Sequence, residues 1–343
     1  MLIMFRLGRS MGAGTRPLVA LTLLSALVLG LFVTPRPQMF TFLLFAVFVA
    51  VIAVEEDTPS RRVWLLPPLM ALWANLHLGF TYGLAVVACW LAARVFDRLR
   101  GRCLRLRTPV AVLAACAGAA CLNPHGPALL WFPIRYLNDG GVTRSYVAEW
   151  QSPGILNPFH TAIFATAALL ILALISRTRP RPFLILVTLL FVGLSMQAVR
   201  NAPFAALLLV PVAGGAMARR WRGASEAADS AVRMPFPLAF ALPLLTAAIV
   251  IPVIGSAGGA ISIWSPSQHS YPAAAVTYLR GHDAGARILN GYSSGGYEIA
   301  ELYPAHRVFI DGRSEFYGDA FLRDYLTLIN TTVGWQALLA RYN

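Results

Sequence analysis

The sequence predicts an α-helical polytopic membrane protein of about nine transmembrane helices with a small C-terminal α/β extracytoplasmic domain. Three observations predict it. The first is composition: 57% of the 343 residues are hydrophobic and only 13% are charged, where soluble domains carry roughly 25% charged residues. The second is arginine, which supplies all 28 basic residues and gathers in short runs between apolar stretches. That is the positive-inside pattern, so the formal net charge of +13 reads as topology and not as a nucleic-acid-binding surface. The third is a strand, glycine turn, helix and strand pattern that begins after residue 286, beyond the apolar runs.

A membrane-crossing helix needs about 20 apolar residues, with roughly 17 as a lower limit when the flanks snorkel. Nine runs serve as spans: 17–33, 40–54, 63–76, 80–96, 108–122, 160–176, 183–199, 203–217 and 236–255. The stretch 63–96 is divided because a single helix of that length would extend about 51 Å, far beyond a hydrocarbon core of about 30 Å. Asn75, His77 and Gly79 make a polar break near its middle. With the N-terminus inside, the inner loops hold Arg6, Arg9 and Arg16, then Arg61 and Arg62, then Arg98, Arg100, Arg102, Arg105 and Arg107. Arg177, Arg179 and Arg181 follow, and then Arg219, Arg220, Arg222 and Arg233. Every alternate loop is arginine-rich, and an undivided 63–96 would put the densest run outside. The C-terminal domain is therefore expected on the outer face.

The longest outer loop is 123–159, in which 129–137 is too short to cross but carries Trp131, Phe132 and Tyr136, a composition suited to an interfacial helix. The inner segment 218–233 reads as a polar link, and 256–271 as a Gly/Ser/Pro-rich linker. Cys89, Cys103, Cys116 and Cys121 all lie in or beside apolar spans, which predicts neither a disulfide framework nor a metal site. No small-residue cleavage site follows the first apolar run, so a cleavable signal peptide is not expected.

In the domain 272–343, Arg287 to Asn290 is an extended run broken by Gly291, Gly295 and Gly296. A helical pattern runs to Tyr303, Pro304 stops it, and Val308 to Ile310 is a second extended run that enters Asp311-Gly312-Arg313. Two strands joined by a helix predict a βαβ unit with parallel strands, and ligands gather beyond the carboxyl ends of such strands. The alternatives are structural: Gly295-Gly296 lets a helix pack close to a strand, and Asp311 with Arg313 closes a turn as a local ion pair. Without a phosphate-loop lysine the glycine turn is a weak nucleotide signal. Helices are expected at 319–329 and 334–341; a third strand would then be expected, so the domain reads as incomplete.

Six motifs occur in order: Trp73-Ala-Asn75-Leu-His77-Leu-Gly79-Phe80, Asn123-Pro124-His125-Gly126, Glu149-Trp150-Gln151-Ser152-Pro153, Arg200-Asn201-Ala-Pro203-Phe204, Gly295-Gly296-Tyr297 and Phe309-Ile-Asp311-Gly312-Arg313. The series resembles an uncharacterised family of bacterial multi-span membrane proteins that is distantly similar to the lipid-linked-sugar glycosyltransferases of the GT-C superfamily. The resemblance covers most of the chain. It implies a bacterial inner-membrane protein that uses a polyprenyl-phosphate-linked sugar at the outer face. GT-C enzymes usually carry a catalytic acid in the first outer loop, whereas Thr34-Pro35-Arg36-Pro37-Gln38-Met39 contains none. Members are typically longer at the N-terminus, so the chain reads as truncated at both ends and the acid-bearing loop is expected outside it.

The residues themselves nominate a site. Glu149 is an outer, membrane-proximal carboxylate beside Trp150 and the candidate general base; the alternative is an ion pair with Arg144 or Arg135. Arg200, Arg135 and Arg144 lie on the outer side, where the charge rule gives no reason for arginine, and a guanidinium fork suits a lipid-carrier phosphate. Headgroup contacts or pairing with Glu149 and Asp139 are the alternatives. Asn75, His77, Asn201, Asp311 and Arg313 make up a candidate polar pocket, although for Asn75 and His77 capping of the helix break is the favoured reading. His77, His125 and His160 lack metal-ligand spacing, so no cofactor is expected and a divalent metal has no support. Two other functions compete with the enzyme. A non-catalytic scaffold presenting the C-terminal domain accounts equally well for the missing first-loop acid. A transporter or flippase fits less well, because no span contains Asp or Glu.

Overall fold

The structure is a computed structural model that describes residues 1–33, 36–102, 105–131, 141–155, 157–175, 181–227, 271–282, 285 and 287–342. The expected span 236–255, nearly all of the linker 256–271, residues 132–137 of the expected interfacial helix, and Arg135 lie outside them. The described residues are mostly helical and divide into two compact units. One holds residues 1–131 and 148–227, and the other holds 141–147 and 271–342.

The first unit is built from α1 (Leu2–Ser10), α2 (Thr15–Gly30), α3 (Gln38–Asp57), α4 (Leu66–Leu76), α5 (Phe80–Leu99) and α6 (Arg107–Ala120). Within the same unit, α8 (Pro158–Ile175), α9 (Pro182–Gln197) and α10 (Ala202–Ala227) follow; α7 (Gly141–Tyr146) belongs to the second. Among the described residues three segments are long and apolar enough to cross a membrane by length and composition: Gln38–Asp57, Phe80–Leu99 and Val199–Ala218. Thr15–Gly30, Arg107–Ala120, His160–Ile175 and Pro182–Gln197 are apolar but shorter. Val, Ile and Phe are frequent in α3 despite their modest helix propensity; packing of an all-apolar surface decides its form. The run expected at 63–76 is a 3-10 turn, Arg61–Leu65, followed by the 11-residue α4 with proline in its first turn.

Val199–Ala218 is the central segment and is almost entirely buried. Leu207, Leu208, Leu209 and Val210 are all buried, so this helix is enclosed on every side. Small residues let neighbours approach it closely. A Cβ on Gly214 would stand 2.7 Å from Leu18 Cδ2, and one on Gly8 would stand 2.6 Å from the same atom. Thus α1, whose sequence reads as a poorly apolar lead, is a helix with Met4 and Leu7 buried.

Aromatic rings bind α3, α5, α9 and α10 together. Phe45 meets Phe191 at 4.7 Å and Phe204 at 4.9 Å between centroids, and Tyr82 meets Phe204 at 4.6 Å. Polar contacts then mark two ends of this helical unit. At one end Thr41 of α3 meets His77 after α4, and Asn75 reaches Leu122 after α6. There too Tyr82 of α5 meets Asn201, just before α10. At the other end Arg181 donates to the Ala53 carbonyl and to Asp57 of α3, and Arg94 of α5 faces Glu56.

The second unit pairs β1 (Arg287–Ile288) in parallel with β2 (Arg307–Val308), in the register Arg287 with Arg307 and Ile288 with Val308. Here α11 (Ala273–Arg280) precedes β1, and α12 (Gly295–Leu302) joins the strands. They are followed by α13 (Ser314–Ile329) and α14 (Trp335–Tyr342). Gly318, at φ 76°, breaks α13, a backbone that suits glycine. Ile310, Leu322 and Tyr325 form the core, with Phe309, Phe321, Tyr146 and Tyr292 against it.

The sequence reading placed residues 141–147 in an outer loop and began the small domain at 272, whereas the structure groups them with that domain. Asp319 draws them in: its carboxylate accepts from Val142 N at 2.9 Å and from Thr143 N and Oγ1, both at 3.2 Å. It thereby satisfies the first N–H groups of α7, a capping role played by a residue distant in sequence.

Candidate functional site

The polar end of the first unit is assembled around His77. Trp73 Nε1 can only donate, and it donates to Thr41 Oγ1 at 2.9 Å. Thr41 Oγ1 lies 2.9 Å from His77 Nδ1, and the Gly79 N–H donates to the same nitrogen at 3.0 Å. A nitrogen that accepts from Gly79 carries no hydrogen, so Thr41 also donates to it and the imidazole hydrogen sits on Nε2. Burial pushes the His77 imidazolium down to about 4, and the charge of Arg200 adds to the shift. The ring is therefore neutral at physiological pH.

Arg200 is placed by its own short turn. The 3-10 turn Val199–Asn201 links α9 to α10, and the Val199 N–H donates to the Gln151 carbonyl at 3.0 Å. That bond brings the turn Ala148–Trp150 alongside, and the Arg200 guanidinium lies 4.0 Å over the Trp150 ring. Cation–π stacking of this kind holds the planar group by its face. Glu149, half-buried, precedes Trp150 in the same turn. Asn201 is buried and structural: its Oδ1 accepts from Tyr82 at 2.7 Å and its Nδ2 donates to Leu194 O at 3.0 Å. Asn75 is spent on the backbone as well, donating to Ala71 O at 2.8 Å and Leu122 O at 2.7 Å.

The structure thus gathers Thr41, Trp73, His77, Tyr82, Trp150, Arg200 and Asn201 in one unit, with Glu149 adjacent in sequence. Thr41 and Tyr82 were missed from sequence because a lone hydroxyl in an apolar run has no pattern. The usable signal was Trp73, whose buried N–H must find an acceptor. Of the five residues read as one polar pocket, Asn75, His77 and Asn201 belong to the first unit and Asp311 and Arg313 to the second. Arg144 lies there too, on α7.

In the second unit the residues at the strand ends serve the backbone. Asn290 Oδ1 accepts from Phe309 N at 2.9 Å and Ile310 N at 3.1 Å, while Nδ2 donates to Ile310 O at 2.8 Å. Its amide continues the ladder where β1 stops. Asp311 accepts from Arg313 N at 2.9 Å and from Arg313 Nη2 at 2.5 Å, a turn closed by its own ion pair. Burial works to raise the Asp311 carboxyl, and the Arg313 hydrogen bonds outweigh it and hold the group below its ordinary range. A cavity of about 410 Å³ opens at the carboxyl end of β1, lined by Val276, Leu279, Asn290, Ser294 and Glu298 among others. Glu298 accepts from Ser294 Oγ at 2.8 Å.

The histidines hold separate posts. His160 Nδ1 accepts from Gly154 N at 2.8 Å, and the His125 N–H donates to Asn123 Oδ1 at 2.7 Å. Among the described residues no three of His, Cys, Asp and Glu are grouped to hold a metal ion. No family model, curated protein or solved structure matches the chain.

Proposed function

We propose that the chain is a multi-pass protein of a bacterial inner membrane that binds a polyprenyl-phosphate-linked sugar at the outer face, as a GT-C-like glycosyltransferase does. The observation that carries this reading is Arg200, stacked 4.0 Å over Trp150 at one end of the helical unit. With its face against the ring, a guanidinium directs its N–H donors along its edge, the geometry that binds two phosphate oxygens at once. Arg144 lies in the other unit and Arg135 outside the described residues, so the assignment rests on Arg200. Glu149 in the Trp150 turn is the proposed base. It would take the proton of an acceptor hydroxyl as that oxygen bonds to the anomeric carbon. The bond from that carbon to the carrier then breaks, leaving its electron pair on the phosphate. Photo-crosslinking with a diazirine-bearing short-chain polyprenyl phosphate tests the site. Label is expected on the peptides that contain Trp150 and Arg200, and unlabelled carrier should compete it away. Label spread over many helices and indifferent to competitor would refute the reading.

The proposed topology is nine spans with the N-terminus inside and the small domain outside. Support comes from the two ends of the helical unit. Arg181 lies with Asp57 and Ala53 at the end opposite Arg200, and the arginine-rich loops alternate toward that side. Impermeant thiol labelling of intact cells should modify a Ser293→Cys variant and spare Cys103. Modification of Cys103 from outside would reverse the topology.

A further inference from the structure

We propose that His77 is the second half of the phosphate site: a neutral imidazole held with its hydrogen on Nε2, which donates to an anionic phosphate-ester oxygen while Arg200 supplies the charge. The proposal rests on the reading of Arg200 given above and adds a partner of different chemistry. Its basis is the hydrogen-bond order at His77. Nδ1 accepts from Gly79 N–H at 3.0 Å and lies 2.9 Å from Thr41 Oγ1, which itself accepts from Trp73 Nε1 at 2.9 Å. The Gly79 N–H therefore sets the tautomer, as the second partner of a histidine commonly does. Among the described residues no hydrogen bond is made to Nε2. His77 is half-buried.

Gly79 is what permits this arrangement. A Cβ there would stand 2.4 Å from Thr41 Oγ1 and 2.9 Å from His77 Nδ1. The backbone comes so close that only glycine leaves room for both. The turn that carries Arg200 lies beside the His77 loop: Tyr82, whose N–H donates to Gly79 O at 3.0 Å, donates through its hydroxyl to Asn201 Oδ1 at 2.7 Å, and the Arg200 charge acts with burial to lower the His77 imidazolium. A single fixed charge with a neutral donor beside it suits a phosphate oxygen better than a second cation would, because no like-charge repulsion has to be overcome in the empty site.

The test separates donation from support by two substitutions in the full-length protein, reconstituted in phosphatidylcholine nanodiscs. His77→Gln places an amide N–H near the Nε2 position, whereas His77→Asn places an acceptor near Nδ1 and keeps the bond from Gly79 without the outer donor. Losing a neutral donor to a charged phosphate should weaken binding of a short-chain polyprenyl phosphate roughly 10-fold or more. The expected order is wild type, then His77→Gln within about threefold, then His77→Asn at least tenfold weaker. The reverse order, with His77→Asn like wild type and His77→Gln weak, would make His77 a helix-break cap and overturn the proposal. Arg200→Gln, measured alongside, keeps the two claims apart. If it is weak while His77→Asn binds normally, the inference on His77 fails and the phosphate reading stands. If wild type does not bind the carrier at all, both fail. Competition by phosphatidylglycerol or inorganic phosphate at the strength of the polyprenyl phosphate would overturn the lipid-carrier source.

Discussion

Gly295→Ala should collapse the βαβ unit, and Gly296→Ala, one residue away, should not. A Cβ on Gly295 would lie 2.1 Å from the Ile310 carbonyl oxygen and 2.8 Å from Asp311 Cα. These are backbone atoms and cannot rotate away. The Asn290 amide, which takes up the ladder where β1 ends, is also 2.9 Å from that position. Overpacking costs about 1–3 kcal/mol in side-chain cores, and a rigid backbone neighbour puts this site at the upper end, about 2–3 kcal/mol. That corresponds to roughly 30- to 150-fold in the opening equilibrium. Gly296, in contrast, has nothing within 4 Å of its Cβ position and lies in a helix, where alanine is better than glycine by about 0.5–1 kcal/mol. Hydrogen exchange on the purified full-length protein reads the difference at the Phe309 and Ile310 amides. Protection should fall in Gly295→Ala and hold or rise in Gly296→Ala. Equal protection in both would show that the close approach of α12 to β2 does not stabilise the unit.

That contact was partly legible in the sequence. Gly295-Gly296 before a helical pattern read as a close helix-to-strand approach, and only the structure distinguishes the glycine that touches the strand from its exposed neighbour. Val308 to Ile310 read as a strand through its β-branched residues, whereas β2 is Arg307–Val308, two residues long and paired in parallel with β1 as the intervening helix requires. What could not be read are contacts between residues far apart in sequence. Asp319 capping α7 from 177 positions away leaves no local pattern. Thr41 looks like a tolerated polar residue in an apolar run until its two partners, Trp73 and His77, are seen. Charge patterning drew attention to Arg200 through its place beside Asn201 and Pro203, after an apolar run. The Trp150 ring beneath it was invisible, since 50 residues separate them.

Arg200→Gln should weaken short-chain polyprenyl phosphate binding by roughly 10- to 150-fold, the loss of a charge-assisted contact of about 1.5–3 kcal/mol. Glutamine keeps a planar amide that can rest on Trp150 but removes the charge and one edge of the fork. Raised ionic strength should weaken wild-type binding less than it weakens an exposed contact, because a half-buried guanidinium is only partly screened. Arg61 is the control: it is exposed, in the turn before α4 and among the arginines read as inner. The decisive measurement is the equilibrium affinity of purified wild type, Arg200→Gln and Arg61→Gln for the same carrier in the same nanodiscs. Wild type and Arg61→Gln should bind alike, with Arg200→Gln at least tenfold weaker. Equal affinity in all three proteins would contradict the assignment of Arg200 to a lipid-carrier phosphate.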